Sequence, residues 1–148
     1  MLIQGLEKLV IISLFGERVR EGIKEFHPGI DFRVFNKAVD PDATHIFPVI
    51  APERIRITEV KFDPKWGHYI KAVPIEENSL GIIEFRFWHI VPDFGCVPDA
   101  EFDPDVILGK PEAGFVPLHL HFETRIDYRG TTPINPMEYL EMKGQEFE

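Results

Sequence analysis

The sequence predicts an all-β fold: a single domain built on antiparallel sheet, with a short helix near the C-terminus. Three observations carry this. The 148 residues include 13 prolines and 11 glycines, which interrupt short runs rich in Val, Ile and Phe. No long window holds a 3.6-residue apolar period, so no ordinary amphipathic helix is expected. The runs themselves have strand length and end in turn chemistry, with Asp-Pro, Pro-Lys, Gly or Asn between them. A chain of this size has room for one domain, 1–148, and buries about two-thirds of its unfolded surface without disulfide staples.

In chain order the expected strands are 10–15, 30–35, 45–49, 54–62, 69–73, 82–90 and 118–127. The first belongs to an apolar run from Leu9 to Phe15, far short of the roughly 20 residues that span a bilayer. Glu17, Arg18 and Arg20 follow closely and no small-residue cleavage site is present, so the run reads as a strand and not as an export signal. Asn135 before Pro136 matches a helix N-cap with proline at the first helical position, which predicts a helix over 136–142. The last residues, 143–148, read as a frayed polar tail.

A formal charge of −9, from 25 acidic and 16 basic residues, disfavours a nucleic-acid grip, which needs clustered Lys and Arg to neutralise phosphates. Anionic membranes are disfavoured for the same reason. Cys96 is the single cysteine and cannot form an internal disulfide.

The chemistry concentrates in five residues. His27 with Asp31, His89, and the pair His119 and His121 can offer two neutral nitrogens and one carboxylate oxygen to a divalent metal, with histidines left over beside it. That is the inventory of a hydrolytic zinc centre. In Phe26-His27-Pro28-Gly29-Ile30-Asp31, Pro28 and Gly29 rule out a continuous helix, so a turn entering a strand has to bring His27 and Asp31 together. In Leu118-His119-Leu120-His121-Phe122, strand alternation puts both histidines on one face and the apolar residues on the other. Glu123 shares the histidine face, where it either orients an imidazole or forms a surface salt bridge. A lone strand histidine is usually an ordinary packed or surface residue, and His45 and His68 are read that way.

Ile12-Ser13-Leu14-Phe15-Gly16-Glu17-Arg18, followed by Phe26-His27-Pro28-Gly29-Ile30-Asp31, resembles the opening of lysostaphin-type zinc metallopeptidases, which cleave peptide bonds in peptidoglycan. Later landmarks appear in the family's order: the strand pair 46–51 and 55–60, Trp66-Gly67-His68-Tyr69, Trp88-His89-Ile90, His119-Leu120-His121-Phe122-Glu123, and Pro133-Ile134-Asn135-Pro136-Met137-Glu138-Tyr139-Leu140. The likeness covers roughly 12–140. It implies that His27, Asp31 and His121 bind Zn2+ in a groove-lining site, that His119 is the general base, and that His89 assists it or stabilises the oxyanion.

The activity so implied is a zinc-dependent endopeptidase, with peptide stems or cross-bridges of bacterial peptidoglycan as substrate. No wall-binding module and no export signal are read in the chain, which fits a phage lytic or virion-associated enzyme acting on the cell wall. A noncatalytic regulator of wall hydrolases and a structural phage-tail module are the competing readings. Two departures from the family pattern stand out. Phe87 lies where tyrosine is common, and 96–117 lacks most of the glycine-punctuated hairpin usual before the last histidine pair. The acidic residues Asp93, Asp99, Glu101, Asp103 and Asp105 are not spaced as a calcium loop and read as a solvated stretch.

Overall fold

The computed structural model describes residues 2, 8–34, 46–115 and 118–147; His45, Phe35 and Pro117 lie outside them. In chain order the strands are β1 (Leu9–Ser13), β2 (Gly16–Arg20), β3 (Ile23–His27), β4 (Ile30–Val34), β5 (Val49–Ile50), β6 (Ile55–Asp63), β7 (Gly67–Pro74), β8 (Glu84–Trp88), β9 (Ile90–Pro92), β10 (Glu101–Phe102), β11 (Ile107–Pro111), β12 (Leu120–Ile126) and β13 (Thr132–Ile134), followed by the helix α1 (Pro136–Met142). The main sheet runs β1-β4-β12-β8-β7-β6-β10, with β13 alongside β12; β5, β11 and β9 form a second sheet, and β2 with β3 a separate hairpin.

Period-two alternation builds the core. Ile30, Phe32 and Val34 of β4, Phe85 and Phe87 of β8, and Leu120 and Phe122 of β12 are all buried, while Asp31, Trp88 and His121 between them line the opposite side, where a cavity lies. The Phe122 ring meets Phe87 at 5.2 Å and Phe85 at 6.0 Å between centroids. Tyr139 of α1 adds a third partner 5.1 Å from Phe85. Each such ring, fully buried, contributes about 1.5–3 kcal/mol by transfer alone. The rigid platform under Asp31 and His121 is therefore aromatic packing.

The expected helix has the bounds of α1, and the Asn135 side chain accepts a hydrogen bond from the Met137 amide, leaving one fewer orphan donor in its first turn. Other boundaries differ for identifiable reasons. The expected strand 82–90 breaks at His89, where the chain leaves the main sheet for the second one. The β2–β3 hairpin was not foreseen because its faces are mostly charged or exposed. Its turn is Glu21-Gly22, both left-handed at φ 53° and 77°, the two-residue connection whose twist matches the strands.

Segment 96–117 also holds more structure than expected, namely β10 and β11. Its acidic side chains are nevertheless solvated: Asp93, Asp99, Glu101, Asp103 and Asp105 are all exposed. The C-terminal stretch is not a frayed tail. Gln145 is buried, its side chain accepts from the Leu2 amide at 2.9 Å, and Phe147 bridges to Leu9.

α1 is anchored by one polar contact inside this apolar seat. The Tyr139 hydroxyl donates to Glu53 Oε1 at 2.6 Å, and burial together with that carboxylate pushes the phenol well above its ordinary pKa. A Tyr139→Phe variant should lose about 1–3 kcal/mol, because a largely buried carboxylate loses its donor. The loss should appear in urea unfolding as a lower midpoint with an unchanged slope.

Candidate metal centre

His27 is the last residue of β3 and Asp31 the second of β4, so the two are separated by a turn through Pro28 and Gly29. That turn lies directly on β12. A Cβ on Gly29 would sit 2.3 Å from the Phe122 carbonyl oxygen and 3.0 Å from His121 Nε2, closer than any side chain tolerates. β4 and β12 pair antiparallel with Asp31 directly opposite His121. Register and turn together converge three side chains on one point.

The three donor atoms are mutually close. His121 Nδ1 lies 2.8 Å from Asp31 Oδ1, His27 Nε2 lies 3.2 Å from Asp31 Oδ2, and the two imidazole nitrogens are 3.1 Å apart. In a tetrahedral site with bonds of about 2.0 Å, neighbouring donors stand about 3.3 Å apart. The spacing fits zinc. Among the described residues this is the group of His, Cys, Asp or Glu side chains whose ligand atoms converge in this way.

Hydrogen bonds on the far side of each ring fix which nitrogen faces inward. His27 Nδ1 contacts the Leu14 carbonyl at 2.8 Å; a carbonyl only accepts, so Nδ1 carries the proton and Nε2 presents a lone pair. His121 Nε2 donates to Glu123 Oε2 at 2.8 Å, and Arg125 Nε donates to the other Glu123 oxygen at 2.6 Å. Glu123 is only 3 % exposed, so of its two sequence readings the imidazole-orienting one holds. Such carboxylate partners fix the tautomer of a metal-ligating histidine and raise its basicity. With the outer nitrogens committed, Nε2 of His27, Nδ1 of His121 and the Asp31 carboxylate all face each other as acceptors. That arrangement requires a cation or a proton between them.

The protonation balance carries the same message. Burial raises the Asp31 pKa, but its contacts with His121 and His27, once a proton lies in them, outweigh it and leave the carboxylate far below its usual range. Burial lowers that of His121, yet Asp31 and Glu123 outweigh it and the imidazole is raised. Glu123 is lowered overall, burial being outweighed by His121 and then Arg125. Arg18 extends the positive side: Nε binds Glu25 at 2.7 Å, while its terminal nitrogen donates to Ser13 Oγ at 2.6 Å and stands 3.6 Å from Asp31 Oδ2.

His119 and His89 stand beside this centre. β12 begins at Leu120, so His119 lies one residue outside the strand, yet it lines the same cavity as His121. His89 lies 5.0 Å from it between ring centroids, edge to face. Its backbone is left-handed at φ 64°, an uncommon conformation for a residue with a side chain, held here at the crossing between sheets. His89 Nδ1 donates to the Trp66 carbonyl at 2.8 Å. Burial, then the charge of His119, pulls its pKa down to about 4 against that hydrogen bond. His89 is consequently neutral, and Nε2 is an acceptor.

The cavity at the five residues measures about 530 Å³, and its lining includes Arg18, Arg20 and Phe26 of the hairpin together with Trp66, Trp88 and Phe115. Pockets of roughly 300–1,000 Å³ are those that enclose small ligands or short peptide segments. Sequence reasoning assigned no role to Arg18, Arg125 or Glu112. Arg125 was findable, being two residues beyond Glu123 on the same strand face. Glu112 had no such signal, since its contact with His68 spans 44 residues.

No family model matches the chain, and no curated protein matches it in sequence. Solved structures do match. A zinc-containing peptidase from Vibrio cholerae aligns with a TM-score of 0.66 at 18% identity, over 92% of this chain and 38% of that one. Lysostaphin aligns at 0.64 and 20% identity, over 91% of this chain and 52% of the other. The fold is that of lysostaphin-type peptidase domains. A structure of the SpoIIIAH and SpoIIQ complex also shares it, at 0.67 and 17% identity, over 94% and 97% of the two chains. The protein thus spans well under half of the peptidase from Vibrio cholerae and about half of lysostaphin.

The depressed His89 pKa has a measurable consequence. Above the ordinary histidine value of about 6.5 both folded and unfolded states keep this ring neutral. As the pH falls towards about 4 the unfolded state takes up a proton that the fold refuses, so stability is lost across that window. His89→Gln removes the contribution. Urea unfolding between pH 7 and pH 4 should show a shallower loss of stability in the variant than in the wild type.

Proposed function

We propose that the protein is a zinc-dependent peptidase acting on the peptide portion of bacterial peptidoglycan, with His27, Asp31 and His121 as metal ligands. The observation that carries this reading is the convergence of three acceptor atoms, each oriented by a hydrogen bond or register contact behind it, on a cavity that also holds two more imidazoles. Zinc bound there supplies Lewis acidity towards the scissile carbonyl and lowers the pKa of water at its open position to about 7.

The chain's own residues do the rest. His119 takes the proton from the attacking water and delivers it to the leaving amine, a role typically worth about 10²–10⁴-fold. His89, neutral and with Nε2 unprotonated, accepts a hydrogen bond beside His119 and steadies the base in its working orientation. Glu123 and Arg125 hold the His121 ring so that Nδ1 stays turned inward. Trp66, Trp88 and Phe115 give the groove apolar surface on which an extended peptide lies, and Arg18, Arg20 and Glu25 give it charged groups.

Three converging donors with two further imidazoles in the same cavity favour an enzyme over the regulator or the structural module, neither of which needs histidines beside the metal position. The place of action is the cell wall, reached by release during phage lysis or by carriage on a virion.

Paired substitutions of the two histidines near β12 separate ligand from base. His121→Ala should lose zinc and, with it, all turnover, since two protein donors hold the ion poorly. His119→Ala should retain near-stoichiometric zinc while turnover on purified sacculi falls about 10²–10⁴-fold. In the wild type, chelation should abolish hydrolysis and added zinc restore it. Zinc loss in His119→Ala with retention in His121→Ala would reverse the two assignments, and full activity of demetallated protein would end the reading.

A further inference from the structure

We propose that Glu112, locked to His68, is a positioning residue for His89, an inference that rests on the peptidase reading above. The Glu112 carboxylate is engaged at both oxygens by a single residue: Oε2 accepts the His68 backbone N–H at 2.8 Å and Oε1 accepts the His68 ring Nδ1–H at 2.5 Å. The same three residues close a ring through the backbone. His89 N–H donates to the His68 carbonyl at 3.0 Å, and Glu112 N–H donates to the His89 carbonyl at 2.8 Å. Every backbone polar group of His89 is therefore held by one or other member of the pair.

The pair also sets what touches the imidazole. His68 follows the turn that carries Trp66, whose carbonyl receives His89 Nδ1–H. Glu112 opens the turn that carries Phe115, whose ring lies 4.0 Å from the His89 ring between centroids. Joining His68 to Glu112 fastens those two turns to each other with His89 between them. The approach is close enough to demand glycine at position 67, where φ is 81° and a Cβ would stand 2.2 Å from Glu112 Oε2. Glu112 is otherwise without an ion-pair partner among the described residues, and its side chain is only 14% exposed. A left-handed residue with a side chain persists only where its surroundings over-determine it, and this pair supplies that determination.

The metal position lies on β3, β4 and β12, away from the pair, so loosening His89 should leave zinc in place. Glu112→Ala, with stoichiometric zinc and near-normal KM for soluble cross-linked muropeptides, should lower kcat about 10–100-fold, the scale set by misplacing a group by about 1 Å. Glu112→Gln should stay within a few-fold of wild type, because the amide can still accept from the His68 backbone and meet its ring. Glu112→Ala combined with His68→Ala should be no worse than Glu112→Ala alone, as expected of two groups acting as one unit. In parallel, the His89 Nδ1–H proton should be exchange-protected in NMR spectra of the wild type and of Glu112→Gln, and lost in Glu112→Ala.

An Ala variant that keeps both kcat and the protected proton would overturn the proposal. So would a Gln variant that falls as far as Ala, or losses that simply track a lowered melting temperature. If the wild type cleaves no muropeptide, the peptidase reading fails, and the NMR arm alone decides whether Glu112 positions His89.

Discussion

Three acceptors facing one another is an arrangement that a folded protein does not hold without reason. His27 Nε2, His121 Nδ1 and the Asp31 carboxylate approach within 2.8–3.2 Å, and like-polarity lone pairs at that range repel unless a cation or a shared proton lies between them. The fold spends several features on keeping them there: a glycine turn laid against β12, a register that opposes Asp31 to His121, and hydrogen bonds behind both imidazoles. Taken with the burial that lowers the effective dielectric, the constraint explains why so much of the surrounding structure is satisfied and rigid.

The same logic sets His89 apart from the converging pair of imidazoles. His27, His89 and His121 are all more than nine-tenths buried, and the outward nitrogens of His27 and His121 are committed. His89 is committed too, through Nδ1 to a backbone carbonyl as His27 is, but it lines the cavity outside the group whose donor atoms converge. A site arranged in this way turns two inward lone pairs on the point that a metal would take and sets a third imidazole beside them. The break between β8 and β9 is what makes this possible, because a continuous strand would have carried the residue after Trp88 into the core face.

Much of this was legible in the sequence. The aromatic and β-branched runs and the Asn-Pro helix start described the architecture, since both are local signals with a direct steric or hydrogen-bonding cause. The spacing of His27 to Asp31 around Pro28 and Gly29 announced a turn, and strand alternation around His121 separated the cavity face from the core, even though His119 proved to lie just ahead of the strand. What escaped detection was non-local or weakly patterned. The β2–β3 hairpin carries charges on both faces and so lacks an alternating apolar signature. The bonds of Glu112 to His68 and of Leu2 to Gln145 join residues far apart in the chain, and only the assembled sheets bring them together.

The central claim is that the cluster exists to hold a divalent metal through two imidazole nitrogens and one carboxylate. X-ray absorption on the protein after equilibration with one equivalent of zinc tests it most directly. The account predicts stoichiometric binding with a first shell of nitrogen and oxygen only, at about 2.0–2.2 Å, including two imidazoles, one of which disappears in His121→Ala. Failure to bind zinc stoichiometrically, a sulfur at about 2.3 Å from Cys96, or an unchanged imidazole count in that variant would contradict it.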